Sequence, residues 1–145
     1  MKSTTRIGEI LSNLEKTSFT GLSVAEQGIV SFTRAQLKKI IELAEKFEKG
    51  IEVKNWDEAI VSFLSSVQRV NLLYAYLMQP SVLSSLLSGK IWDMVESVLE
   101  GMSELMGEFI VTLRKNLKEM NMDNISVSMN SSPPSFNISL VMKNA

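Results

Sequence analysis

The 145-residue sequence contains neither cysteine nor histidine. Without cysteine there is no disulfide, no thiolate nucleophile and no sulfur-ligated metal. Without histidine the commonest general base and the commonest metal ligand are missing. Ser-His and Cys-His nucleophile pairs therefore cannot be assembled within this chain. An excess of one charge is also lacking: Lys+Arg number 15 and Asp+Glu 16, a net charge of -1. General nucleic-acid binders carry a marked basic excess, so direct nucleic-acid binding is not expected beyond what a local basic patch supplies.

Long apolar runs are absent too. The first stretch, MKSTTRIGEILSNLEK, has no segment like the core of a signal peptide. No run of about 18 apolar residues is free of charge. The richest candidate, VNLLYAYLMQPSVLSSLL from Val70, is interrupted by Pro80 and by serines. The expectation is an intracellular, soluble protein without a membrane partner. No glycine loop of the phosphate-binding kind occurs; the seven glycines are scattered, and Gly101 and Gly107 fall inside a predicted helix. No internal repeat and no long linker is visible.

What is present is enough apolar residue, 45%, for one core in one ordinary domain. Helical periodicity runs through most of the chain. A first helix is predicted over about 3–16, with Ile7, Ile10, Leu11 and Leu14 at helical spacing. Ser23 and Glu26 fit a capping box that opens a short helical turn. A second helix is predicted from the Thr33/Gln36 box, with its stripe on Leu37, Ile40, Ile41, Ala44 and Phe47 and with Gly50 as its left-handed stop. A third starts at the Asn55/Glu58 cap and carries Ile60, Val61, Leu64, Val67 and Val70. It is apolar nearly all round from Leu72 to Met78, and Pro80 ends it. One or two helical turns over 81–88 close at Gly89. The last and longest helix is predicted over about 90–120. From Ile125 the period becomes two: Ile125, Val127 and Met129, then Phe136, Ile138, Leu140 and Met142, alternate with polar residues. NSSPPS between them predicts a β-hairpin with a loop longer than two residues. The fold class expected is mainly α: an up-and-down bundle of about four helices over residues 1–121. The hairpin over 122–145 follows, packed on the bundle or on a partner because a lone hairpin is marginal in water.

The last helix carries the most pointed pattern. Asp93, Glu96, Glu100, Glu104 and Glu108 fall on the arc opposite its apolar face, although like charges at i,i+4 repel. Acid near its start and Arg114, Lys115 and Lys118 near its end complement the helix dipole, which is part of the reason. The plainer reading of the row is a solvated face relieved by screening and by basic neighbours. The sharper reading is a contact surface for a basic groove, because carboxylates one turn apart are spaced comparably to phosphates along a nucleic-acid strand. The near-neutral net charge weighs against it.

Other patterns have paired readings. Arg34, Lys38 and Lys39 are either a phosphate contact or a solvated helix start, and no aromatic residue is interleaved for base stacking. Most methionines read as core filler, while Met120, Met122, Met129 and Met142 around the hairpin read as an adaptable partner surface. The N-x-S sequons at Asn124, Asn130 and Asn137 read as strand and turn composition. A di-metal carboxylate centre is not expected, since its histidines are missing and the acids face away from the core. Exposed carboxylates do not supply the raised pKa that acid–base catalysis needs. The chain is therefore read as a non-enzyme without a catalytic site, cofactor, metal or small-molecule substrate.

The length and the layout of about four amphipathic helices over 3–120, in a cysteine-free chain rich in Met, Ile and Ser, resemble the RNA-polymerase-inhibiting proteins of two-tailed archaeal viruses, which are related to four-helix virion proteins. The resemblance implies a viral protein in the host cytoplasm. It implies a host multisubunit RNA polymerase as partner, engagement of its DNA-binding channel, and repression of transcription. Asp93, Glu96, Glu100, Glu104 and Glu108 are the partner-binding candidates, chosen on charge. The alternative function is a structural or assembly subunit, a virion or nucleoprotein component that self-assembles through apolar helix faces and the hairpin.

Overall fold

The structure is a computed structural model that describes residues 1–88, 91–131 and 134–143. Among these residues it is mainly helical with a C-terminal two-stranded hairpin. The elements are α1 (Lys2–Lys16), α2 (Val24–Glu52), α3 (Trp56–Leu77), α4 (Pro80–Ser88), α5 (Trp92–Lys115), β1 (Met122–Ser131) and β2 (Pro134–Met142).

The two capping boxes at the start of the second helix compete, and the earlier one wins. The Ser23 hydroxyl accepts the Glu26 N–H while the Glu26 carboxylate accepts the Ser23 N–H. This opens a 29-residue helix rather than a short turn. Thr33 lies in the helix interior, because Ile29 and Val30 extend the buried face of Leu37 and Ile40 by two more turns. The Thr33 hydroxyl is left buried without a partner among the described residues.

The end of α2 differs from expectation in the same way. Gly50 is helical and buried, and the left-handed residue is Lys54, with φ 58°. The glycine is required for another reason. A Cβ on Gly50 would stand 2.9 Å from the backbone nitrogen of Ala59, so its absence lets α3 begin against α2. Asn55 then caps α3 by accepting the Glu58 N–H, as its sequence position predicts.

This close crossing sets the buried face of α3. Ala59, Ser62 and Ser66 are buried, and the Ser66 hydroxyl donates to the Ser62 carbonyl at 2.8 Å. The predicted stripe is rotated accordingly: Val67 and Val70 are buried and Ile60 partly so, but Val61 and Leu64 face outward. Leu72 is also exposed, so the segment before Met78 is not enclosed all round. Pro80 does not simply stop α3, which ends at Leu77; it is the first residue of α4, where its missing N–H costs nothing.

The last helix is shorter than predicted. It ends at Lys115, and residues 116–121 form turns in which Asn121 is left-handed at φ 59° and the Met122 N–H reaches the Leu117 carbonyl. Its predicted start at Lys90 and the Gly89 stop lie outside the described residues. The core joins the three longest helices through Phe47, Phe63 and Phe109, with Phe109 edge-on to both others at 4.6 and 5.6 Å. Met122 and Ile125 of β1 belong to that core.

The hairpin packs on the bundle. β1 and β2 pair antiparallel, with Ile125 opposite Leu140 and Met129 opposite Phe136. Pairing continues to Ser131 opposite Pro134, so the connection is tighter than NSSPPS suggests; residues 132 and 133 lie outside the described residues. Both outer edges are pinned by helix side chains. The Asn71 amide of α3 donates to the Phe136 carbonyl at 3.0 Å and accepts its N–H at 2.7 Å. The Arg114 guanidinium of α5 donates to the Ile125 carbonyl at 3.4 Å.

Candidate interaction surface on α5

At 100° per residue, Glu96, Glu100, Asp93, Glu104 and Glu108 follow one another across less than half the circumference of α5. The fold flanks this arc with α1 on the Glu108 side and with β1 and Tyr74 on the Glu96 side. Gly101 faces α1, where Ile7 and Ile10 stand 3.4 and 3.5 Å from the place of a Cβ.

The structure divides the row. The Glu108 carboxylate accepts the Ser3 N–H at 2.9 Å and the Ser3 hydroxyl at 2.8 Å. It caps the N-terminus of α1, which has no side-chain cap of its own. The Arg6 guanidinium bridges Glu104 through Nη1 and Glu100 through Nη2. Those hydrogen bonds, first to Glu104 and then to Glu100, raise the Arg6 pKa and hold it charged. Asp93 and Glu96 are exposed, and their carboxylates have no partner among the described residues. The repulsion along the row is thus relieved for three of its five members by α1.

Two open grooves border Glu104. The first, about 460 Å³, lies between α3, α5 and β1; Tyr74, Met78, Leu99 and Met129 form its floor, and Ser103, Glu100 and Glu104 its wall. The Tyr74 hydroxyl lies 3.2 Å from the Leu99 carbonyl and 3.3 Å from the Ser103 hydroxyl. Burial raises its pKa, and the contact with Ser103 lowers it by less. The second groove, about 540 Å³, runs toward α1 and is lined by Lys2, Gly107, Val111 and Thr112 with Glu108 and with Glu104, which it shares with the first groove.

The other candidate surfaces are largely used up inside the fold. Arg34 donates to the Leu14 carbonyl at 2.7 Å, so it caps the C-terminus of α1, and it stacks over Phe19. Lys38 pairs with Glu15 and Lys39 with Glu42. Of the four methionines around the hairpin, Met120 and Met122 are core, while Met129 and Met142 are half-exposed. Among the described residues no three acidic side chains cluster as metal ligands, and no helix is long and apolar enough to cross a membrane. Sequence reasoning missed Ser3, Arg6 and Tyr74, since nothing in a linear pattern says which helix neighbours α5. Comparison of the chain with protein-family models, curated proteins and solved structures finds no match.

Proposed function

We propose that this chain is a non-enzymatic binding protein that presents the solvent-facing acidic strip of α5 to a cationic surface of a large partner. The single observation behind this reading is the strip itself: Asp93, Glu96, Glu100 and Glu104 stay exposed along one line, although the Arg6 bridge offsets part of the charge of the last two. The partner implied by the resemblance is a multisubunit RNA polymerase, engaged at its DNA-binding channel with repression of transcription. Carboxylates one helical turn apart, about 5.4 Å, suit a channel built for phosphates. We read α1, α2, α3 and α5 as an up-and-down bundle, on the packing of α1 against α2 and α5 and of α2 against α3.

The test is co-elution of the protein with an archaeal multisubunit RNA polymerase, with and without template DNA. DNA-sensitive binding, weakened by salt and by Asp93→Lys with Glu96→Lys, is the expected result. No binding at low salt sinks the polymerase reading. A second reading, self-assembly, draws on the outward apolar line of Val61, Leu64 and Leu72 on α3. It predicts concentration-dependent oligomers that Leu64→Glu dissolves and salt leaves intact.

A further inference from the structure

No further strand pairs with the outer edge of β1 among the described residues, and Met129 of β1 lines the first groove. Phe136 gives both its N–H and its C=O to Asn71. In an antiparallel ladder only a residue at a non-hydrogen-bonded position turns both groups outward. Met129, opposite Phe136, has the same phase, and so does Val127 two residues before it. The Ile125 carbonyl, bonded by Arg114, confirms the phase independently. Pro134, which has no N–H, falls opposite Ser131 at a position of that same phase. Val127 and Met129 therefore point their N–H and C=O out of the β1 edge. No backbone group from elsewhere in the described residues meets them.

Beside this edge lie the apolar floor of Tyr74, Met78 and Leu99 and the carboxylates of Glu100 and Glu104. Arg6 occupies one oxygen of each carboxylate, and the other oxygen of each has no partner among the described residues.

We propose that the β1 edge at Val127 and Met129 takes an extended segment of a partner protein as a third strand. The segment carries apolar and cationic side chains in turn along one face, at every second residue, because successive residues of a strand point to opposite faces. Its backbone pairs with the free groups of Val127 and Met129. Its apolar side chains enter the groove over Tyr74 and Leu99, and its Arg or Lys side chains meet Glu100 and Glu104. Charge complementarity selects this occupant, since the open edge is overlooked by carboxylates. This inference rests on the acidic strip being a protein-binding surface and names the element beside it.

The experiment uses the full chain and a labelled, acetylated peptide in which every second residue is Val or Arg in turn, with serine between them, so that both kinds of side chain share one face. Its control is the same peptide N-methylated on the amides of one edge. Anisotropy titration at low salt should show saturable binding, with the N-methylated peptide weaker by about tenfold or more. Val127→Pro should weaken binding similarly. It removes an outward N–H and no ladder bond, and circular dichroism checks its fold. Glu104→Gln should weaken binding as well, and amide exchange should slow at Val127 and Met129 when peptide is bound. Equal binding of both peptides overturns the proposal in favour of charge attraction alone. No peptide binding overturns it outright, and dimerisation abolished by Val127→Pro would then assign the edge to a second copy. Peptide binding without polymerase co-elution removes the polymerase and leaves the edge. Polymerase co-elution unaffected by Val127→Pro, with no peptide binding, removes the edge alone.

Discussion

At the residue scale, Tyr74 ties α3 to α5 through one hydroxyl and lines the groove with its ring. Burial raises its pKa above the ordinary value near 10. A raised folded-state pKa means that the folded chain holds the proton longer than the unfolded chain. Its contribution to stability is therefore complete below about pH 10 and is lost as pH rises through the folded pKa. Tyr74→Phe should be less stable at neutral pH by about 1 kcal/mol, the worth of its hydrogen bonds. It should also lose less stability than the parent between neutral and strongly alkaline pH. Urea melts of both proteins across that range check the sign; parallel losses would refute it. Arg6 and Ser3 teach a related point. Each meets a carboxylate about a hundred positions away in the sequence, so neither could be assigned a role from its neighbours.

At the element scale, glycines of similar helical context have opposite roles. Gly50 sits where α3 begins, and a methyl there meets Ala59 backbone. Gly50→Ala should destabilise by about 1–3 kcal/mol, because backbone has to move. Gly107 is exposed on α5 with nothing within 4 Å of its missing Cβ. Gly107→Ala should stabilise by up to about 1 kcal/mol through helix propensity. Thermal melts of the two variants should shift in opposite directions. The hairpin offers a second check. Asn71 occupies the outer edge of β2 as a strand would. Asn71→Ala leaves both Phe136 groups without their partner and should cost about 1–3 kcal/mol. Amide exchange should quicken over β1 and β2 while the middle of α2 stays protected.

At the scale of the whole molecule, the hairpin and the helices share one core. Met122 and Ile125 are buried in the same cluster as Phe109 and Leu113, and Tyr74 packs its ring on Phe136. We expect one cooperative transition, with fluorescence of Trp56 and Trp92 and far-ultraviolet dichroism coinciding on denaturant unfolding. Separate transitions would mean that the hairpin is anchored only by its edge contacts. The charges also act at this scale. With 15 basic and 16 acidic residues the long-range field is weak. Any steering by Asp93 and Glu96 must be local, and salt should weaken it within a Debye length of about 10 Å.

Local chemistry made much of the architecture readable from the sequence. Helical and two-residue periods reflect solvent on one side of each element. The Asn55/Glu58 cap forms as its side chains demand, and the acids of α5 lie opposite its buried face. Tertiary structure decided whatever depended on a second element. Between two adequate capping boxes, the burial of Ile29 and Val30 chose Ser23 over Thr33. The close crossing at Gly50 and Ala59 rotated the face of α3 away from its apolar stripe. The docking of α1 gave Glu100, Glu104 and Glu108 partners and left Asp93 and Glu96 to solvent. A sequence states which residues can face a neighbour. Only the packing fixes which neighbour arrives and how near, because that depends on the fit of both surfaces at once.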